Sequence, residues 1–101
     1  MAQGDYAEAL KRYHKSLAIK EKTLGTDHPS TGTTYNNIAV VYQDQGNYAE
    51  ALKWYKKGYY IRRKKLGEAH PNTKIVLDNM KTAYNSAGLT EAFETWLIKT
   101  D

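Results

Sequence analysis

The chain is expected to be all-α, a solenoid of antiparallel helical hairpins built from five helices, and three features of its order point there. The first is self-similarity. Gly4-Asp5-Tyr6-Ala7-Glu8-Ala9-Leu10-Lys11 returns as Gly46-Asn47-Tyr48-Ala49-Glu50-Ala51-Leu52-Lys53, and Leu24-Gly25-Thr26-Asp27-His28-Pro29 returns as Leu66-Gly67-Glu68-Ala69-His70-Pro71. The offset is 42 residues throughout, and 18 of the 42 aligned positions are identical. The second is apolar spacing of three or four residues, with no strand-like alternation anywhere. The third is punctuation: apolar stretches end on glycine, and a proline follows the longer ones. A unit recurring at this period cannot shelter its apolar face alone, so it stacks on its neighbours.

The first helix, at about residues 5–24, places Tyr6, Ala9, Leu10, Tyr13, Leu17 and Leu24 at helical spacing. It runs into Leu24-Gly25, where a glycine past the last apolar position supplies a left-handed cap. Pro29 then bars continuation, and Ser30 is positioned to cap the second helix, about 30–45, with its stripe Tyr35, Ile38, Ala39, Tyr42. Gly46 turns the chain into the third helix, about 47–66, where Tyr48, Ala51, Leu52, Tyr55, Tyr59 and Leu66 repeat the first pattern. Asn72 is the corresponding cap for the fourth helix, about 72–87, with Leu77, Met80 and Tyr84. Gly88 opens a third unit whose one helix, about 89–99, carries Leu89, Ala92, Phe93, Trp96 and Leu97 on one face and Glu91, Glu94 and Thr95 on the other. A terminal helix with a polar face is what a solenoid needs in order to stop. The expectation is one domain over residues 1–101, with units starting near Gly4, Gly46 and Gly88.

At 101 residues the chain can build a continuous but thin core. It holds nine tyrosines against one phenylalanine, which suits faces packed on one side and wet at the edge. With no cysteine there is neither a disulfide framework nor a thiolate metal site, a composition that fits an intracellular, cytoplasmic setting. Residues 1–4 carry no apolar run of the signal-peptide kind, and no stretch approaches the roughly 18 apolar residues of a membrane span. No membrane partner is expected.

Catalytic and metal chemistry find no foothold in the pattern. His28 and His70 occupy one repeat position, one period apart, and read as turn-packing residues rather than metal ligands or catalytic groups; His14 stands alone. There is no His-Glu-x-x-His, no phosphate-cradling glycine loop and no nucleophile elbow, and Ser16, Ser30 and Ser86 have no base and orienter beside them. No enzyme, no cofactor and no metal site are expected.

The residues Tyr35, Ile38, Ala39, Tyr42, Gly46, Tyr48, Ala51 and Tyr55, taken with Gly32 as a first position, resemble the tetratricopeptide pattern of large, large, small and large, then small, then aromatic. With Leu-Gly-x-x-His-Pro and Asn36-Asn37-Ile38-Ala39, the likeness extends to the 42-residue tetratricopeptide repeats of kinesin light chains, from Gly4 to about Trp96. It implies a right-handed solenoid. Ala39 and Ala51 are then small so that paired helices approach closely, and Tyr42 and Tyr55 fill the space to the next hairpin. Tyr42→Ala is expected to cost about 3–5 kcal/mol. Lys81, at the repeat position of Ala39, departs from the pattern: either the last pair splays or the lysine snorkels outward. Glu91-Ala92 falls one residue short of register with Glu50-Ala51, which marks an altered cap.

The resemblance also implies a function, a protein-interaction scaffold holding a peptide or partner segment in a concave groove. First-type helices line such a groove, so the groove positions here are Thr33, Asn36, Asn37, Val40, Gln43 and Asp44, then Asp78, Asn79, Thr82 and Asn85. Asn37 and Asn79 share one repeat position, where an amide with both donor and acceptor can grip an extended backbone; bonding between neighbouring helices is the alternative role. The net charge is +4, and 12 of the 15 basic residues lie on the two long helices, five on the first and seven on the second. Those helices form the outer wall of such an array. The run Arg62-Arg63-Lys64-Lys65 can be an import signal or a phosphate patch, but successive helical residues fan around the axis, so a solvated wall and no nucleic-acid partner are expected. The first helix lacks a first-type partner, which fits a piece of a longer array or an engineered chain. Its bare face offers a second function, self-association or end-to-end stacking.

Overall fold

The computed structural model describes residues 3–99. Its five helices are α1 (Gln3–Thr23), α2 (Pro29–Asp44), α3 (Tyr48–Leu66), α4 (Pro71–Ser86) and α5 (Phe93–Lys99). Each of the first four packs chiefly on its chain neighbour, α1 on α2, α2 on α3 and α3 on α4, which is the linear order of an all-α helical-repeat solenoid. The expected helices α1 to α4 are present, with ends moved by one or two residues. The last is shorter: residues 89–92 are not helical and α5 begins at Phe93.

Helix ends follow from backbone chemistry. At Gly46 (φ 79°) the glycine N–H reaches the Gln43 carbonyl and the Asn47 N–H reaches that of Tyr42, the paired bonds of a Schellman stop. Gly67 goes further, to φ 92° and ψ 160°, a region only glycine occupies freely. Ser30 and Asn72 are not the caps expected of them. His28 and His70 are, each accepting the backbone N–H of Ser30 or Asn72 on Nδ1, at 3.0 and 3.1 Å. The cause is proline at the first helical position. A residue preceding proline is held extended, which is the backbone geometry of an N-cap.

Two apolar clusters share α2 and α3. Leu17, Tyr35, Ile38 and Ile61 form one between α1, α2 and α3. Ala39, Ala51, Leu52, Tyr55, Tyr59, Val76, Met80, Ala83 and Tyr84 form the other between α2, α3 and α4. Tyr42 and Trp54 pack against both and join them. Tyr42 is only half-buried, whereas Tyr55 is 1% exposed, so the large truncation cost expected at Tyr42 belongs to Tyr55. Ala39 and Ala51 are fully buried, as close helix packing requires. Two glycines also bring α2 and α3 close together. A Cβ on Gly58 would stand 3.1 Å from the Gly32 carbonyl oxygen, and one on Gly32 would stand 3.2 Å from Ile61 Cγ2. Lys81 takes the outward course: it is exposed, with its ammonium 5.7 Å from the centre of the Phe93 ring.

The short α5 is held by α3. Its last carbonyls have no partners within the helix. Lys56 Nζ donates to the Trp96 carbonyl at 3.3 Å and the Tyr60 hydroxyl to that of Leu97 at 2.8 Å. Lys56 is 6% exposed, and its charge is met by that carbonyl and by the Trp96 ring, 4.5 Å away. The Tyr84 hydroxyl holds the preceding linker through the Glu91 carbonyl.

Candidate functional site

Helices α2 and α4 carry the sequence-derived site, and the 42-residue offset relates their outward stripes. On α2 these are Thr33, Asn37, Val40 and Asp44; on α4 the same positions are Ile75, Asn79, Thr82 and Ser86. Thr33, Asp44, Ile75, Thr82 and Ser86 are exposed, and Asn37, Val40 and Asn79 are half-buried. Both asparagines therefore sit low in their stripes. Among the described residues neither amide enters a side-chain hydrogen bond. The Thr33 hydroxyl donates to the Pro29 carbonyl at 3.1 Å, and that of Thr82 to Asp78 at 3.1 Å, each an i to i−4 bond along its own helix.

Asn36 and Gln43 turn away from this surface. Asn36 Oδ1 is buried without a partner among the described residues, and the Asn36 backbone nitrogen lies 3.6 Å from where a Gly58 Cβ would stand. Gln43 Oε1 accepts the Tyr55 hydroxyl at 2.5 Å. Burial, with the Asp44 carboxylate nearby, pushes the Tyr55 phenol up to about 12. Their repeat equivalents Asp78 and Asn85 stay exposed, since the seven-residue α5 does not cover α4 as α3 covers α2.

Two residues not singled out in the sequence lie beside these stripes. Ile75 is 52% exposed at the repeat position of Thr33, and the period alone pointed to it. Arg62 does not face outward with the rest of its basic run. Its guanidinium donates to the Asn72 carbonyl at 3.0 Å and to Thr33 Oγ1 at 3.4 Å, bridging the first turns of α4 and α2. Burial lowers its pKa from the ordinary arginine value. Lys20, one period earlier, makes the same bond to the Ser30 carbonyl at 3.3 Å and adds Thr34 Oγ1 at 3.0 Å. The period had paired Lys20 with Arg62 without saying what either would reach.

The rest of the run disperses. Arg63 lies over Tyr60, 5.2 Å from the ring centre, and Lys64 pairs with Asp27 at 2.7 Å, which draws that carboxylate's pKa down. These residues present no shared basic face. His14 packs edge-on against Trp54 at 5.6 Å. Among the described residues no three histidine, aspartate or glutamate side chains gather in a way that could hold a metal ion, and no helix is long and apolar enough to cross a membrane.

Comparison with known proteins agrees with this geometry. Residues 1–64 and 31–92 each match the family model of the tetratricopeptide repeat. The Clustered mitochondria protein of Arabidopsis thaliana is 49% identical over 39 residues, which are 39% of this chain and 3% of that protein. The human Clustered mitochondria protein homolog is 43% identical over 37 residues, 37% of this chain and again 3% of its own length. The chain thus spans a small fraction of these relatives. With hairpins of one period stacked in order and two overlapping matches reaching from residue 1 to residue 92, the chain belongs to the tetratricopeptide repeat family.

Proposed function

We propose that this chain holds an extended segment of a partner protein across the outward stripes of α2 and α4. The family is generally a non-catalytic protein-interaction scaffold, and the finer reading rests on one observation. Asn37 and Asn79 repeat at one helical position, half-buried, with amides that no neighbour among the described residues engages. Each amide can donate to and accept from a peptide backbone, as a neighbouring strand would. Ile75 supplies an apolar contact beside Asn79, and Arg62 a cation at the end of the stripes where α2 and α4 begin. A peptide-array screen followed by fluorescence anisotropy tests this. Asn37→Ala and Asn79→Ala should each weaken a detected peptide by about 0.5–1.5 kcal/mol, the net value of a hydrogen bond. Peptides whose binding ignores both substitutions would rule the reading out.

A second reading, self-association through α1, has its own support. Ile19 is 64% exposed, while its repeat equivalent Ile61 is 7% exposed against α2. Light scattering across concentration decides it: a dimer abolished by Ile19→Glu supports the reading, and a monomer at every concentration removes it.

A further inference from the structure

The α3–α5 side of the molecule, which shares no residue with the α2 and α4 stripes, carries a second pocket. Its origin is legible in the repeat. Trp96 stands one period after Trp54, and Lys56 beside Trp96 stands one period after His14 beside Trp54, so α5 occupies the place of the next long helix. That helix starts late. Its counterpart α3 begins at Tyr48, equivalent to Thr90, whereas α5 begins at Phe93. The missing turn leaves a pocket of about 460 Å³ against α3, walled by Leu52, Tyr60, Leu89 and Trp96. Lys53 and Lys57, both exposed, stand at its edge, and among the described residues no carboxylate lines it.

The repeat also shows which charge has been lost. At the junction of α1 with α3, Glu50 accepts the Trp54 indole N–H at 3.2 Å. One period on, Ala92 replaces that glutamate. The contact between Lys53 and Glu50, at 3.8 Å and largely solvated, leaves the lysine available to an incoming anion. A volume of this size lies within the ordinary range of ligand pockets, and apolar walls with a few placed charges are their usual make-up.

We propose that this pocket is a second docking site, which takes one large apolar side chain, flanked by carboxylates, from an acidic segment of a partner protein. The apolar side chain lies between Leu89 and Trp96, and the carboxylates meet Lys53 and Lys57. Lys56 stays with the Trp96 carbonyl and holds the wall in place.

The test is an NMR titration of the whole chain with a short acetylated and amidated peptide in which one leucine is flanked on both sides by glutamates. The same peptide with alanine for leucine, and dodecanoate, serve as comparisons. The leucine peptide should shift the amides of Lys53 and Leu89 and the indole of Trp96 while leaving Asn37 and Asn79 in place. Leu89→Asp, and separately Lys53→Glu with Lys57→Glu, should weaken it by about tenfold or more, as lost apolar burial and reversed charge do. These positions are exposed, and circular dichroism checks that each variant folds. Leucine and alanine peptides binding alike, shifts confined to Asn37 and Asn79, dodecanoate binding where neither peptide does, or no binding at all would each overturn the proposal. The groove reading stands or falls separately, on Asn37→Ala and Asn79→Ala.

Discussion

Tyr42 and Tyr55 carry the same side chain into the space between hairpins, and burial separates them. Tyr55 is enclosed and donates to Gln43, whereas Tyr42 is half open to solvent. Truncating a buried aromatic costs about 3–5 kcal/mol, so Tyr55→Ala should approach that range and Tyr42→Ala should fall below it. Urea denaturation of the two variants gives the comparison. The histidine caps make a second residue-scale prediction. His28→Ala and His70→Ala should each lose about 1 kcal/mol, the common value of an N-cap, while His28→Asn, which restores an acceptor, should lose little. Thermal unfolding reads both.

Between elements, the α2–α3 contact depends on the absence of two side chains. Replacing glycine by alanine within a helix ordinarily gains about 0.5–1 kcal/mol. At Gly58 the new methyl would meet the Gly32 backbone carbonyl at 3.1 Å, and backbone cannot rotate aside. Overpacking costs about 1–3 kcal/mol, so the strain exceeds the propensity gain and Gly58→Ala should lower the melting temperature. The repeat equivalent Ser16 is half-buried and carries a side chain, so the need for glycine belongs to the α2–α3 contact and not to the repeat position itself. Helix α5 depends on its neighbour in another way. Seven residues cannot sustain a helix alone, and Lys56 and Tyr60 supply the partners that its carbonyls lack.

Across the whole molecule, the two clusters meet through Tyr42 and Trp54, so damage in either reaches the other through α2 and α3. Alkaline pH tests this coupling. Burial pushes the Tyr35 phenol up to about 12, helped by its 2.8 Å hydrogen bond to Glu21, and Tyr55 to about 12 as well. An unfolded tyrosine loses its proton near pH 10. The stabilisation is therefore fully present below that pH and is lost as pH rises toward the folded values, where the unfolded chain binds fewer protons. Urea midpoints measured through this interval should fall less steeply in Tyr35→Phe and in Tyr55→Phe than in the parent chain. One cluster sits around each phenol, so similar flattening in both variants, with one unfolding transition, would show that the clusters melt together.

Local order determined much of this protein. The 42-residue period, the apolar spacing of α1 to α4 and the glycine stops at Gly25, Gly46, Gly67 and Gly88 are all set by neighbouring residues and backbone stereochemistry, and they could be read before any coordinate. The outward stripe was legible for the same reason at Thr33, Asn37, Val40, Asp44, Asn79 and Thr82, since helical spacing selects a face. Proline at the first helical position also implied His28 and His70 as caps, a signal present but not used. Other features waited for the packed chain. Asn36 and Gln43 share the helix with the stripe, yet α3 covers them, and Asp78 and Asn85 differ only because α5 is short. Arg62 and Lys64 are two residues apart in sequence but reach Asn72 and Asp27, and the pocket beside Leu89 exists because one helix starts late. A long side chain takes whichever partner lies within its reach, and which one lies there is settled by the neighbours that tertiary packing brings.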